Sequence, residues 1–242
     1  MTGGAFYDEA VTADYLAHRH GGIHSPNTVM EEPALLAAIG DLAGVKLLDL
    51  GCGDGSFAEI ALGRRARSYT GIDASPSMIA TARRTVTDER ASFDCIAIED
   101  FDPGGPAYDV VTSRMALHYV ADLVDALRRV HRSLHDGGRF VGTVVHPVIS
   151  SNDNPGPGPR SDWTVDHYFD DGPRRRLWFG KEVTWYHRTT EQCLRALTEA
   201  GFRFDELSEC EPSPALLADH SDELHRRRRV PLILLLSGTK TG

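Results

Sequence analysis

The stretch Lys46–Phe57, KLLDLGCGDGSF, constrains this chain more than any other. A short apolar run reaches Asp49, and glycines then take every second position at Gly51, Gly53 and Gly55. The helix-like sequence SFAEIALGRRA follows at once, so the segment reads as strand, tight bend, helix. Gly51 and Gly53 let the backbone adopt dihedrals closed to other residues and let another group approach it closely. The helix behind the bend offers the unpaired N–H groups of its first turn.

The alternation continues from about Glu31 to Val145. EEPALLAAIGDL reads as a helix, and KLLDL, SYTGID, SFDCIAI, YDVVTS and RFVGTVV read as strands. Ser75 and Pro76 open a helix at SPSMIATARRTV as N-cap and first-turn proline. DLVDALRRVHRSLHDGG is expected to be a helix closed by Gly137 and Gly138. Strands alternating with helices predict an α/β chain with a parallel sheet covered on both faces. Pro155, Pro157 and Pro159, interleaved with glycines, forbid helix and sheet and predict a surface loop. That loop leads into the aromatic segment DHYFDDGPRRRLWFGKEVTWYHRT. TTEQCLRALTEAGF is then a helix, and RFDELSECEP and VPLILLLSG are two last strands that form the antiparallel end of the sheet.

The 242 residues suffice for one good core but not for two ordinary domains and a linker. The N-terminal sequence has no apolar core, so neither signal peptide nor membrane anchor is expected. The longest apolar run, Val230–Leu236, is too short to span a bilayer. Four scattered cysteines, with no Cys-x-x-Cys pair, suit reduced thiols in a cytoplasm and oppose a disulfide framework or a zinc site. A net charge of −9 argues against a nucleic-acid partner. The arginine runs Arg174–Arg176 and Arg226–Arg229 read as a solvated loop and a charged strand entrance.

In such a sheet, ligands bind beyond the carboxyl ends of the strands. Asp73 ends the second strand, twenty residues past Gly53, where an acid accepts hydrogen bonds from ribose hydroxyls. The bend departs from the dinucleotide fingerprint, because Ser56 stands where the third glycine belongs. It also lacks the Lys-Ser/Thr ending of a phosphate-gripping loop. Asp49 before the bend opposes a pyrophosphate and suits an ammonium group. A ribose at one end and a cationic amino acid at the other describe S-adenosylmethionine.

LDLGCGDG, YTGIDASPSMIATAR, YDVVTSRMALHYV and SLHDGGRFVGTVVHP resemble the successive motifs of the class I SAM-dependent methyltransferases, more narrowly the small bacterial quinone and natural-product enzymes. The resemblance implies a Rossmann-like, doubly wound, mostly parallel seven-stranded sheet with an antiparallel last strand. It implies that Asp49, Gly51 and Gly53 hold the methionyl part, that Asp73 and Ala74 lie at the ribose, and that Met78 flanks the adenine. Ile98 and Glu99 are expected to edge the adenine, and Ser113 to lie near the methionyl group. Relatives often carry an aspartate near Ala97; here the Ile98 backbone is the expected contact. S-adenosylhomocysteine would be the product.

The N-terminal segment, with Tyr7, Tyr15 and Arg19, is expected to fold over the cofactor as a lid, with Arg19 at the methionine carboxylate. His18, His20 and His24 read as lid surface, and no metal site is expected. Arg114 and His118 are the foremost catalytic candidates. If a helical turn opens at Arg114, the four-residue spacing stacks them on one face, with His118 as base and Arg114 stabilising the resulting anion. A similar Arg-x-x-x-His arrangement is associated with certain aminocoumarin C-methyltransferases. His146, ending the fifth strand, reads either as a base at the same rim or as a histidine bonded to loop backbone. The aromatic segment from Trp163 to Tyr186 is expected to roof the acceptor site.

These readings give one domain over residues 1–242: a lid at 1–30, a cofactor core at 31–147, an acceptor-site insertion at 148–188 and C-terminal helix and strands at 189–242. The expected activity is methyl transfer to a small organic acceptor at O, C or N, with no nucleic-acid or membrane partner; a homodimer is left open. A protein or peptide acceptor, or a SAM-binding protein without turnover, are the alternatives.

Overall fold

The computed structural model describes residues 9–152 and 162–242. The proline-rich stretch around Pro155–Pro159 and the lid residue Tyr7 lie outside them. Nine strands occur among the described residues: β1 Lys46–Leu50, β2 Ser68–Asp73, β3 Ala91–Cys95, β4 Tyr108–Arg114, β5 Leu134–Val145, β6 Gly172–Trp178, β7 Lys181–His187, β8 Phe202–Glu209 and β9 Ile233–Lys240. Seven form one sheet in the order β3-β2-β1-β4-β5-β9-β8, and β6 and β7 form a separate hairpin. Neighbours from β3 to β5 pair in parallel, whereas β9 runs antiparallel to both β5 and β8. Strand order therefore reverses between β1 and β4, where a crevice opens at the carboxyl ends.

The helices are α1 Glu9–Arg19, α2 Glu32–Ile39, α3 Ser56–Gly63, α4 Pro76–Thr85, α5 Leu123–Ser133, the short α6 Pro147–Ser150, α7 Thr190–Glu199 and α8 Ser221–Arg227. The two-residue period of a strand sorts its side chains between the two faces of the sheet. Leu47, Val110, Val141 and Leu235 pack with α2, α3 and α4, while their neighbours Leu48, Val111, Phe140 and Leu234 pack with α5 and α7. This double covering is why these strands read as nearly continuous apolar runs. Each fully buried Leu or Val side chain contributes about 1.5–3 kcal/mol. Ser75 caps α4 by accepting from Met78 N at 3.3 Å, and Thr189 with Gln192 forms a capping box at α7.

Two expectations need correction. Helix α5 ends at Ser133, and Leu134 already pairs with Tyr108 in β4. Gly137, at φ 79°, thus lies within β5, beside a register shift, and does not close the helix. Nor are the arginine runs simply solvated. Arg174 and Arg176 sit on the buried face of β6, and Arg227 lies in α8, donating to His24 O at 2.6 Å. Arginines at alternate strand positions can bury their stems and bond to backbone carbonyls, which a charge count does not reveal.

Candidate functional site

A cavity opens beyond the carboxyl ends of β1, β2 and β4, and the glycine bend forms its floor. The three glycines of the bend answer to different neighbours. Gly51 has φ 73°, and a Cβ there would meet the Ala116 Cβ at 2.3 Å. Gly55 has φ 76° and packs on Phe93, whose ring would lie 2.9 Å from an added Cβ. Gly53, at φ 57°, has nothing within 4 Å of its Cβ position. Two glycines are therefore required by the protein's own packing, and the one between them leaves open space on the cavity side.

Asp73 closes this floor. Its Oδ2 accepts from Gly53 N at 2.9 Å and its Oδ1 from Ser75 N at 2.8 Å. Burial raises its pKa despite both hydrogen bonds. Each carboxylate oxygen keeps a lone pair for a further donor. Ala74 and Met78 line the wall beside Asp73, and Ile98 and Glu99 line the wall that follows β3. Tyr15 and Arg19 line the cavity from α1, with Arg19 Nη1 donating to the Tyr15 hydroxyl at 3.4 Å. Helix α1 is tied across the opening by His20 Nε2 with Asp54 Oδ2 at 2.8 Å and by Thr12 Oγ1 with Ser77 Oγ at 2.9 Å.

Several expected contacts do not reach the cavity. Asp49 is buried behind the floor, where it accepts from the Tyr69 hydroxyl at 2.6 Å and from Thr112 Oγ1 at 3.0 Å. Its charge acts on the cavity only at a distance, and burial raises its pKa. The Ser113 hydroxyl donates to Leu50 O at 3.0 Å and is fully buried. His146 caps α6: its Nδ1 accepts from Val148 N at 3.1 Å, which leaves Nε2–H to donate to Glu209 Oε1, also at 3.1 Å. Its ring nitrogens are thus taken up by loop backbone and by Glu209, and it does not line the cavity.

The stacked Arg114–His118 pair is not formed. Arg114 is the last residue of β4, Met115 turns the chain at φ 54°, and the following short turn runs from Leu117 to Tyr119. Arg114 lines the cavity, whereas His118 is buried among aromatic rings, 5.3 Å from Trp185 and 4.3 Å from Tyr119 between centroids. Burial, aided by the charge of Arg188, lowers the His118 imidazole to about 3, so it is neutral at physiological pH. No histidine lines the cavity among the described residues.

Arg114 has a partner that the sequence did not suggest. Glu31, fully buried, receives Nε at 3.0 Å and Nη2 at 2.5 Å, and its Oε1 also accepts from Thr143 Oγ1 at 3.1 Å. Burial alone would raise the Glu31 carboxyl, but the charge and hydrogen bonds of Arg114 outweigh it and the net direction is down. Glu31 stands in EEPALL, where nothing local signals a partner on a distant strand. Tyr119, Met115 and Asp54 are further wall residues missed in the sequence; Asp54, inside the glycine bend itself, was the one with a visible signal.

Of the aromatic segment, Trp178 and Phe179 meet α1, and Trp185 packs behind Trp178 at 5.7 Å between centroids. Phe179 lies edge-on to Tyr15 at 6.1 Å, and His18 lies 6.2 Å from Trp178. Phe169 instead points to solvent, 87% exposed. Among the described residues there is no cluster of three or more His, Cys, Asp or Glu able to hold a metal ion, and no helix long and apolar enough to cross a membrane.

The pattern of the methyltransferase domain family matches residues 48–140. The crystal structure of an S-adenosylmethionine-dependent methyltransferase from Mesorhizobium loti is similar at 32% identity and a TM-score of 0.80, covering 87% of this chain and 97% of that one. A Haemophilus influenzae protein named only as uncharacterized is 29% identical over 227 residues, 87% of each chain. The ubiquinone biosynthesis O-methyltransferase of Pseudomonas aeruginosa is 36% identical over 107 residues, which span 43% of this chain and 46% of that protein. The chain belongs to the class I SAM-dependent methyltransferases, and S-adenosylmethionine is its cofactor. The cavity fits that group: open space over Gly53, unspent lone pairs on Asp73, and apolar lining from Met78 and Ile98.

Proposed function

We propose that this enzyme methylates a small, planar organic acceptor at oxygen or at the adjacent ring carbon. S-adenosylmethionine, when bound, supplies an electron-poor methyl carbon on a sulfonium. In this reading Asp73 accepts hydrogen bonds from the ribose hydroxyls, with Ala74 beside them. Met78 and Ile98 flank the adenine, Glu99 lies at its edge, and Arg19 faces the amino-acid carboxylate. The chain's remaining task is to align the acceptor and exclude water, which itself lowers the barrier substantially.

The observation that carries the small-acceptor reading is the enclosure of the cavity. Helix α1 is latched at both ends across the opening, and Trp178 and Phe179 pack against it from outside. An open groove for a folded protein substrate is not evident among these elements, whereas the aromatic surfaces of Tyr15 and Tyr119 suit a flat molecule. The partial similarity to ubiquinone O-methyltransferases supports the same class. Since His118 and His146 are both turned away, the acceptor enters ionised or with a nucleophilic atom already exposed.

The test is incubation with methyl-labelled S-adenosylmethionine and a metabolite extract. Label in an extractable small molecule is the expected result. Label confined to precipitated protein, or none transferred despite tight cofactor binding, overturns the proposal.

A further inference from the structure

Arg114 carries more hydrogen-bonding capacity than the protein uses. Its Nε and Nη2 are directed at Glu31, with a longer contact from Nη2 to Glu32 Oε2 at 3.5 Å. Nη1 makes no hydrogen bond to a described residue, yet it is not sealed inside the protein. Because Arg114 is only 6% exposed and lines the cavity, its accessible edge is the one facing that cavity.

The guanidinium is also held still. The Phe57 ring lies 4.7 Å from its carbon, and Glu31 is itself anchored by Thr143, whose Oγ1 accepts from Met115 N at 3.1 Å. A buried ion pair of this kind is weak evidence for stability, since packed apolar residues of similar volume serve as well or better. A fixed, planar guanidinium with two N–H groups to spare is instead suited to a carboxylate-like oxygen. Arg19 lines the same cavity and adds a second guanidinium to it. Asp73 ends β2 and Arg114 ends β4, with β1 between them. The two are thus about 10 Å apart by ordinary strand spacing. The cavity therefore presents an acid at its β2 end and a guanidinium at its β4 end.

We propose that Nη1 of Arg114, set in place by Glu31 as a positioning residue, anchors a carboxylate or equally acidic oxygen of the methyl acceptor, so that the enzyme selects acidic acceptors. This rests on the methyltransferase reading above. Glu31 offsets the long-range charge of Arg114 but leaves its directed N–H groups, so recognition depends on geometry more than on net charge.

The experiment uses the whole chain loaded with S-adenosylhomocysteine and titrated with benzoate and with benzamide, its neutral counterpart. The wild type is expected to prefer benzoate by about tenfold or more, the scale of a hydrogen bond to a charged group. Glu31→Gln should diminish that preference. The double variant Glu31→Leu with Arg114→Met, which leaves neither charge buried alone, should abolish it while still binding S-adenosylhomocysteine. No preference in the wild type, or one unchanged in the double variant, overturns the proposal. A double variant that loses affinity for S-adenosylhomocysteine but keeps that for 5′-methylthioadenosine, which lacks the amino-acid end, assigns the anchor to the cofactor and also overturns it. A wild type that binds no S-adenosylhomocysteine removes the underlying reading; one that binds it without discriminating benzoate removes the anchor alone.

Discussion

The Glu31 carboxylate and the Arg114 guanidinium meet inside the protein, 83 positions apart in the chain, with side chains 0% and 4% exposed. The contact ties the segment ahead of α2 to the carboxyl end of β4 and so fixes one wall of the cavity.

Breaking this pair from one side leaves a buried charge alone. Glu31→Gln is expected to lower the free energy of unfolding by about 3–5 kcal/mol. Replacing both residues by apolar ones of similar volume is expected to cost far less. Urea unfolding of the two variants at pH 7 distinguishes the outcomes; equal losses in both would show that packing volume, not the lone charge, decides the effect.

Gly51 and Gly53 predict opposite phenotypes from the same substitution. Both adopt left-handed dihedrals, in which alanine costs about 1–2 kcal/mol. Gly51→Ala adds a collision with Ala116 at 2.3 Å and is expected to give little folded protein. Gly53→Ala meets nothing within 4 Å, so it should fold with only the loss of about 1–2 kcal/mol from its left-handed backbone, and should lose cofactor affinity, because its methyl enters the ligand's space. Thermal unfolding with calorimetry of S-adenosylhomocysteine reads both. Unchanged affinity in Gly53→Ala would remove the ligand from that bend.

The difference between these glycines marks how far the sequence was legible. Strand and helix periodicity, the Ser75 cap and the glycine bend are local patterns, and they sufficed for the sheet, its order of elements and the cavity's position. Asp73 was singled out by its place at the end of β2, and Met78 and Ile98 by the resemblance to the methyltransferase motifs; all three line the cavity. What failed was side-chain direction after a break in regular backbone. Met115 at φ 54° rotates everything beyond Arg114, so the four-residue spacing to His118 lost its helical meaning. Asp49 and Ser113 lie on strands whose ends do reach the cavity, but their polar groups are consumed by Tyr69, Thr112 and Leu50. Glu31 was invisible because its partner is remote in the chain.

Asp73 holds the bend as well as offering lone pairs to a ligand. Asp73→Ala removes its bonds to Gly53 N and Ser75 N. It is expected to weaken S-adenosylhomocysteine binding by at least about tenfold, since hydrogen bonds to a charged acceptor are worth about 1.5–3 kcal/mol each. Burial raises the Asp73 pKa, so the carboxylate is lost at a higher pH than an ordinary aspartate. Affinity in the wild type should accordingly fall on acidification before exposed carboxylates titrate. Calorimetry across a pH series checks this; wild-type affinity in Asp73→Ala would contradict the assignment.

His118 gives a pH signature of a different sign. Its folded pKa is about 3, lowered first by burial and then by Arg188, against an ordinary value of 6.5. Between those values the unfolded chain binds a proton that the folded chain refuses. Acidification from pH 6.5 towards 3 therefore favours unfolding, by about 1.4 kcal/mol per pH unit from this one group. Above pH 6.5 the residue is neutral in both states and contributes no slope. Burial also raises the carboxyls of Asp49 and Asp73, which therefore respond to acidification too, so the comparison must be a difference. His118→Phe keeps a ring against Trp185 and Tyr119 and removes the titration. The stability gap between wild type and His118→Phe should shift in favour of the variant on going from pH 7 to pH 5, as read by urea unfolding at each. The same variant should keep turnover within about tenfold of wild type, less than the 10²–10⁴-fold that a lost general base costs. A hundredfold fall in turnover with unchanged cofactor affinity would return His118 to the chemistry and require the ring to leave its aromatic pocket during the reaction.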